Sequence, residues 1–328
     1  MGRPTFEVVQ QGVFTSIQDL GRRGYFAVGI PPSGAMDRFA LRMGNLLVKN
    51  PLGEAGIEVT GLGVKLKVLE NTVISLSGGD FDAKINGGSI PCWQTIDVRK
   101  GDVLSMEEAK AGWRGYICVA GGIDVPVVLG SKSTYLTGAL GGGRGRLIRK
   151  GDVLEVGDAR GPLESLKGRK VKGSVLPPLK GEKRLRVILG PQDDHVKNES
   201  IQVFLNSPYR ASIHSNRIGY RFEGPQLYFK ERPGAQLGGS NPSNIVDDGN
   251  AIGAIQIPGG KEPICLGPDG VSMGGYVKIA CLITADMDRM AQLRLKENIQ
   301  FQSVTIPEAR SALQDSLQRV SESNIEAE

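Results

Sequence analysis

The stretch KLKVLENTVISLSG, Lys65–Gly78, contains two short apolar runs separated by a polar turn. Apolar residues alternate with lysines in its first half, and β-branched residues follow in its second half. Both features are typical of β-strands rather than helices. Similar runs recur along the chain with short turns between them, as in RGYICVAGG, RLIRKGDVLEVG, RLRVILGP and GYVKIACLITA. This rhythm is typical of β-barrels or β-sandwiches and predicts a mainly β protein.

The composition supports a glycine-rich globular protein with many turns. The chain has 328 residues, of which 40% are hydrophobic and 46 are glycines. Such a length fits one large domain or two domains of ordinary size. Glycine weakens helices and favours turns, so few helices are expected. No apolar run approaches the roughly 18 residues that a membrane-spanning helix needs, and no signal peptide is recognised, which favours a cytoplasmic protein without a membrane partner.

Positive charge is concentrated in one segment. The formal net charge is +5, yet residues 160–186 carry nine Lys or Arg against two Glu. The run from residue 157 to 183 also has low hydrophobicity and two adjacent prolines, as expected of a solvated connection. It predicts domains at 1–170 and 184–306, followed by a C-terminal helix and tail at 307–328. Without aromatic or helical readers beside it, this charge disfavours nucleic-acid binding.

Three short helices are expected. The first begins after Ser33 as N-cap and ends at Asn50-Pro51. A second starts near Ala285, and a third follows Pro307. Residues 321–328 are expected to fray.

Several small motifs do not form convincing sites. Only His195 and His214 are histidines, and the four cysteines lack CxxC spacing, so no metal site is predicted. The run GVSMG at residues 270–274 precedes a strand-like run, whereas a nucleophile elbow needs a helix there. GGGRGR at residues 141–146 and GSKST at residues 130–134 lack the surroundings of nucleotide-binding loops. Both remain candidates for loops over a ligand, because glycine lets the backbone approach an anion or amide closely.

Two polar constellations stand out in the β-rich halves. The first surrounds turns near the N-terminus and has charged companions in apolar segments; it contains Gln18, Asp19, Arg22, Arg23, Ser33, Asp37, Glu58 and Arg114. The second contains Arg217, Tyr220, Arg221 and Gln256. One interpretation is that these residues pair with each other to fix turns. The other is a ligand site, since arginine forks and neutral amides can hold a carboxylate or ureido group.

Six ordered motifs carry a family resemblance. They are TSIQDLGRRGY, GIPPSGAMDRFALRMGNLLVKN, YICVAGGIDVPVVLGSKST, SNRIGYRFEGPQL, GAIQIPGGKEPICL and GGYVKIACLITADMDRMAQL. Together they resemble the biotin-dependent carboxyltransferase family, which includes allophanate hydrolase subunit 2, the KipA protein and the C subunit of 5-oxoprolinase. The resemblance implies two cyclophilin-like β-barrel domains. It also implies partners: a KipI-like sister subunit (resembling allophanate hydrolase subunit 1) and a third subunit of the LamB/YcsF type.

The resemblance implies a subunit of an ATP-dependent 5-oxoprolinase, a hydrolase of a cyclic amide, with a small amide or ureido substrate. Two alternatives stay open: the carboxyltransferase half of a urea carboxylase, and a KipA-like regulatory protein. The complex would use ATP at a site not identified in this chain. Biotin would arrive on another protein, because no Met-Lys-Met attachment tripeptide occurs. Family members usually have Asp where Asn216 stands, and paralogues commonly have Gln-Thr-Thr at residues 271–273.

Site residues are assigned on these constellations together with the family motifs. We expect Arg217, Arg221 and Arg114 to clamp a carboxylate or carbonyl oxygen. Orientation of the substrate is assigned to Tyr220, Tyr276 and Gln256, and proton transfer to Asp19 or Asp37. Ser33 is added as a substrate-binding residue. Asp19, Asp37, Arg217 and Tyr220 are thus the expected catalytic group.

Overall fold

The structure, a computed structural model, describes residues 2–181, 183–231 and 239–327. Its strands are β1 Arg3–Gln10, β2 Phe14–Gln18, β3 Gly56–Thr60, β4 Lys65–Val68, β5 Thr72–Asp80, β6 Lys84–Ile85, β7 Gly88–Ser89, β8 Thr95–Val98, β9 Val103–Ser105, β10 Ala111–Val119, β11 Val153–Val156, β12 Arg169–Val171, β13 Arg184–Leu189, β14 Tyr209–Ala211, β15 Gly219–Glu223, β16 Asn244–Gly249, β17 Ala254–Gln256, β18 Ile264–Leu266, β19 Met273–Tyr276, β20 Lys278–Leu282, β21 Asn298–Ser303 and β22 Ile325–Ala327. Its α-helices are α1 Arg38–Leu47, α2 Asn198–Asn206, α3 Met287–Ala291 and α4 Ile306–Gln318. The predicted mainly β fold with few, short helices is confirmed.

The chain divides into two compact units. Unit 1 consists of Met1–Arg23, Ser33–Lys180 and Ser316–Glu328, and unit 2 of Gly24–Pro32 and Gly181–Asp315. The short segment Gly24–Pro32 thus groups with the second unit although it lies within the first in sequence. The domain bounds 1–170, 184–306 and 307–328 stay a prediction.

Unit 1 is built on two antiparallel sheets. Their strand orders are β11-β1-β4-β9-β6-β7 and β2-β3-β10-β5-β8. The stretch Lys65–Gly78 supplies β4 to one sheet and β5 to the other, so its polar turn carries the chain between them. Residues from both sheets form one apolar cluster that includes Phe6, Leu66, Ile74 and Ile117, none of which is exposed. The two sheets therefore pack face to face around a shared core.

Helix α1 covers the other face of the five-stranded sheet. Its Phe39, Met43 and Leu47 cluster with Val73 and Cys118. The predicted N-cap at Ser33 is wrong, because the side chain of Asp37 accepts the hydrogen bond from Ala40 N at 2.8 Å. Ser33 and Asp37 are both residue types that can cap a helix, and the sequence pattern alone does not choose between them.

The basic connection is more ordered than its composition suggests. Leu166 and Val171 are buried in the cluster under α1, and β12 pairs with β22. The expected fraying of residues 321–328 is therefore wrong for the strand Ile325–Ala327. Arg169 explains part of this order, since its guanidinium binds the carbonyl groups of Leu46 and Leu47 and the carboxylate of Glu322. The amino-acid composition gives the number of charged residues in the segment, and it does not show which of them form hydrogen bonds or ion pairs.

Unit 2 contains a closed barrel. Its strand order is β13-β20-β17-β18-β15-β14-β21, and β16 and β19 form a separate two-stranded ribbon. Phe204 and Phe301 stack with ring centroids 4.5 Å apart, and Phe222 meets Phe301 edge-on. The predicted short helix near Ala285 is confirmed as α3. The helix expected after Pro307 is confirmed as α4, none of whose residues is fully buried.

Two further observations limit the kinds of site. Within residues 2–181, 183–231 and 239–327, no helix is both long and apolar enough to cross a lipid bilayer. The same residues contain no group of three His, Cys, Asp or Glu side chains arranged to hold a metal ion. The predicted cytoplasmic location stays a prediction.

Candidate functional site

Asp19 organises the first polar cluster in unit 1. It follows β2 directly, and its Oδ1 accepts hydrogen bonds from Ser131 Oγ at 2.7 Å and Ser133 Oγ at 2.5 Å. Its Oδ2 accepts the backbone N–H of Lys132 at 2.6 Å. Asp19 is almost fully buried, and these donors compensate its charge. The carboxylate therefore fixes the loop that carries the GSKST motif.

The chain crosses itself tightly beside Asp19. Ala35 N donates to Asp19 O at 2.8 Å. Gly34 has φ +88°, and a Cβ added to it would lie 2.7 Å from Gly21 N. Arg22 is buried next to this crossing and donates to Ser133 O at 2.5 Å. Gly34 is therefore needed for a close approach of two backbones in front of α1.

Glu58 and Tyr116 hold the start of α1. They face each other in register on β3 and β10, and Tyr116 donates to Glu58 Oε2 at 2.6 Å. The backbone N–H groups of Met36 and Asp37 donate to Glu58 Oε2 and to the Tyr116 hydroxyl, both at 2.9 Å. Arg114 Nε lies 4.0 Å from Glu58 Oε1, and both side chains are buried. A lone Glu in an apolar segment thus has several compensating partners.

The GSKST loop does not fit a phosphate group. Lys132 Nζ binds Glu54 Oε1 at 2.8 Å and Ile123 O at 3.0 Å, while the serine hydroxyls are directed to Asp19. A phosphate site would need this ammonium and these donors free, with a helix N-terminus behind them. The segment after residue 134 forms no helix. The prediction that this loop is no self-contained nucleotide site is consistent with these contacts.

The glycine-rich run 141–146 lines a cavity of about 810 Å³ in unit 1. The run leads into β11 rather than a helix, as expected from the sequence. In the cavity wall, Arg146 forms two 2.7 Å hydrogen bonds to Asp152. The first cause of the low pKa of Asp152 is this contact with Arg146. That the loop lies over a ligand stays a prediction.

In unit 2 the predicted arginines already have carboxylate partners. Arg217 and Asp269 are both buried, with Nε and Oδ2 2.8 Å apart and Nη2 and Oδ1 3.2 Å apart. Arg221 is more exposed and binds Glu262 Oε2 at 2.9 Å. Tyr220 is buried and donates a long, 3.4 Å hydrogen bond to Leu293 O. Of the two predicted arginines in this unit, Arg221 is therefore the one with the more exposed side chain.

Gln256 and Tyr276 lie at the two-stranded ribbon of unit 2. Gln256, at the end of β17, is buried and donates to Asn250 Oδ1 at 3.2 Å. Tyr276 ends β19, opposite Asn244, and is 43% exposed. A Cβ on Gly274 would lie 2.8 Å from Gln256 Nε2, so this glycine allows the amide to approach the ribbon. The altered motif Val271–Tyr276 therefore forms part of the surroundings of a predicted substrate residue.

The predicted residues thus fall into two sets. Asp19, Ser33, Asp37 and Arg114 belong to unit 1, and Arg217, Tyr220, Arg221, Gln256 and Tyr276 belong to unit 2. Ser33 is fully buried with φ +55°, and its hydroxyl lacks a hydrogen-bond partner in the part of the chain that the structure describes. The catalytic and binding roles of all nine residues stay predictions.

Sequence reasoning missed several residues of these clusters. Tyr116, Ser131 and Ser133 bind predicted residues directly, as does Asp269. A polar side chain within an apolar strand, as at Tyr116 in GYICVA, was a usable signal. The serines had no comparable signal, because their partner Asp19 is more than 100 residues away in sequence.

Comparison with known proteins identifies the family. The profile for "Carboxyltransferase domain, subdomain A and B" matches residues 28–303. The chain belongs to the carboxyltransferase domain family. The resemblance inferred from the six motifs is thereby confirmed.

Relatives of this carboxyltransferase-family chain differ greatly in length. The C subunit of the Escherichia coli 5-oxoprolinase is 33% identical over 309 residues, which are 94% of each chain. The "Urea amidolyase" of Lachancea kluyveri is 35% identical over 315 residues, which are 93% of this chain and 17% of that protein. The crystal structure of the K. lactis urea amidolyase matches with a TM-score of 0.91 and 33% identity, over 99% of this chain and 21% of that one. The carboxyltransferase-family chain therefore spans about a fifth or less of the amidolyases that it matches.

Proposed function

We propose that the chain is a subunit of a heteromeric, ATP-dependent 5-oxoprolinase, which opens 5-oxo-L-proline to L-glutamate. The observation that carries this proposal is the match to the C subunit of 5-oxoprolinase, which extends over 94% of that protein. The chain contains the counterpart of nearly the whole of that relative.

The chemistry requires activation of an unreactive bond. Amide resonance protects the lactam carbonyl, so its opening is coupled to ATP through an activated intermediate, and preorganised charges lower the barrier. In this proposal Arg114, Arg217 and Arg221 bind carboxylate or carbonyl oxygens. Gln256 and Tyr276 orient the ring together with Tyr220. Asp19 or Asp37 transfers a proton, with Ser33 as a further substrate contact.

ATP and biotin are assigned to other chains. The GSKST loop is engaged by Asp19 and Glu54, so its residues do not fit a nucleotide phosphate. We propose a KipI-like sister subunit and a LamB/YcsF-type subunit as the partners that complete the complex. Any biotin would be attached to a further protein, because the chain lacks the attachment tripeptide.

The test is co-expression with these two subunits and measurement of 5-oxoproline-dependent ATP hydrolysis. Arg221→Ala is expected to raise KM for 5-oxoproline about tenfold or more, the effect of losing a charged hydrogen bond. Arg210→Ala is its matched control, since Arg210 also lies on a barrel strand and pairs with an acidic residue, Glu223, at 2.6 Å. Exposed ion pairs contribute little to stability, so both variants should fold.

One result would contradict the proposed function, and another would contradict only the role of Arg221. Absence of 5-oxoproline-dependent ATP hydrolysis in the assembled complex removes the function. Equal kinetics for Arg221→Ala and Arg210→Ala would leave the function standing and remove Arg221 from the site.

A second candidate is the carboxyltransferase part of a urea carboxylase. The TM-score of 0.91 to the K. lactis urea amidolyase favours it. Such a system needs a biotin carboxylase and a biotinylated carrier. The same assay distinguishes the two: urea-dependent ATP hydrolysis in the presence of these partners, without a response to 5-oxoproline, would establish the second candidate.

A further inference from the structure

Lys278 is a buried lysine that sequence reasoning did not select. It begins β20, and its side chain is 2% exposed. Its Nζ lies 2.9 Å from Asp248 Oδ2, and within residues 2–181, 183–231 and 239–327 it contacts no second acceptor. An ammonium has three N–H donors, and burying them without acceptors is costly. The ammonium is therefore suited to bind further oxygen atoms.

Asp248, the partner of Lys278, lies on the ribbon strand β16. Its side chain is 50% exposed, in contrast to that of Lys278. Gln192 Nε2 donates to the same oxygen, Oδ2, at 3.1 Å, and Gln192 Oε1 accepts the backbone N–H of Lys278 at 3.1 Å. The hydrogen bond from Lys278 is the first cause of the low pKa of Asp248, so this carboxylate is charged at neutral pH. The Asp248 carboxylate thus contacts both the ammonium of Lys278 and the amide of Gln192.

A further amide residue, Gln256, lies on the strand next to Lys278. Gln256 and Lys278 are register partners on β17 and β20, an arrangement that places the two side chains next to each other on one face. Gln256 Nε2 donates to Asn250 Oδ1, and Gly274 leaves the space that these amides occupy. Gln192 therefore contacts both members of the ion pair, and Gln256 lies opposite Lys278 on the neighbouring strand of unit 2.

We propose that Lys278, with the amides of Gln192 and Gln256, forms a carboxylate-binding site that Asp248 occupies until a ligand carboxylate displaces it. Exchange of one carboxylate for another keeps the buried ammonium paired at every stage. Asp248 can leave at low cost, because it is half exposed and regains hydration in water. The ligand is a small organic carboxylate, and its identity as 5-oxoproline rests on the proposed function.

The experiment uses the full chain and measures dissociation constants by ligand-observed NMR. The probes are acetate, 5-oxo-L-proline and 2-pyrrolidinone, the last being the same lactam without the carboxylate. Asp248→Asn removes the competing carboxylate and is expected to tighten acetate binding about tenfold or more, whereas Lys278→Met should weaken it by a similar factor. Asp247→Asn is the matched control, because this neighbouring exposed carboxylate makes no ion pair in the described residues.

The outcomes separate the site from the proposed function. Unchanged acetate affinity in Asp248→Asn relative to Asp247→Asn overturns the site, even where Lys278→Met fails to fold. Acetate binding that responds as expected, with 5-oxoproline binding no more tightly than 2-pyrrolidinone, supports the site and contradicts 5-oxoproline as its ligand. Full 5-oxoproline turnover by the complex containing folded Lys278→Met retains the proposed function and overturns Lys278 as its carboxylate-binding residue.

Discussion

Tyr116 donates a 2.6 Å hydrogen bond to Glu58 Oε2, the oxygen that also accepts the backbone N–H of Met36. Burial, followed by the negative charges of Glu58 and Asp37, raises the pKa of Tyr116 well above its ordinary value. The phenol therefore stays protonated and remains a donor. Through this contact two neighbouring strands of one sheet fix the position where α1 begins.

Tyr116→Phe should destabilise the protein. The variant leaves the buried Glu58 carboxylate with one donor fewer, which costs about 2–3 kcal/mol for a hydrogen bond to a charged group. Urea unfolding followed by circular dichroism measures the change. The control is Tyr135→Phe, since the Tyr135 hydroxyl makes no hydrogen bond in the described part of the chain. Equal stability of the two variants would show that the Tyr116 contact contributes nothing measurable.

Gly34→Ala tests the crossing in front of α1. Gly34 and Gly101 both have positive φ, but a Cβ meets backbone atoms only at Gly34. Gly101→Ala should cost about 1 kcal/mol, the strain of a left-handed alanine. Gly34→Ala should cost about 1–3 kcal/mol more, because the backbone of residues 20–21 must move. Thermal unfolding of both variants gives the comparison, and a similar loss at the two positions would argue against the close approach.

Arg169→Met tests the attachment of the C-terminal strand. Arg169 donates to Leu47 O at 2.7 Å and Leu46 O at 3.0 Å, and it pairs with Glu322 at 2.7 Å. Its loss should cost about 2–3 kcal/mol. It should also accelerate hydrogen exchange in residues 325–327. Lys170→Met, at the next and exposed position, should change the free energy of unfolding by no more than about 0.5 kcal/mol. Unchanged exchange in Arg169→Met would contradict this role.

Asp152→Asn tests the ion pair in the wall of the glycine-rich cavity. Contact with Arg146 lowers the pKa of Asp152 in the folded protein. The carboxylate therefore stabilises the fold above its unfolded pKa of about 3.9, and this contribution is lost as pH falls through the lower folded value. Asp152→Asn should be less stable than wild type by about 1 kcal/mol at pH 7, and the difference should shrink below about pH 4.

A double-mutant cycle supplies the control for this ion pair. Arg146→Gln alone, and together with Asp152→Asn, should show the same loss as Asp152→Asn rather than the sum of two losses. A stability difference that does not change with pH would assign the effect of Asp152 to packing.

The sequence predicted those features that local pattern determines. Alternating runs such as Lys65–Gly78 indicated strands, and a capping residue upstream of Asn50-Pro51 indicated α1. Contacts over long sequence separation were not predictable from pattern: Asp19 reaches Ser131 and Ser133, and β12 pairs with β22.

The candidate site was predicted unevenly for the same reason. Arginines and aspartates were selected because they cluster around turns and because arginine forks can hold a carboxylate or ureido group. Lys278 was passed over because KIACL reads as an apolar strand, and its partners Asp248 and Gln192 come from two other segments. Burial and pairing of a charge are properties of the folded chain.

The crossing of residues 20–21 with residues 34–35 also bears on how this protein can be altered. Backbone contacts fix both ends of the intervening segment. The ends of an insertion or peptide graft between residues 24 and 32 are therefore held at a defined distance from each other. The crossing itself accommodates an added methyl group at Gly34 only if the backbone of residues 20–21 moves. Loop grafting should therefore be confined to the segment between these contacts.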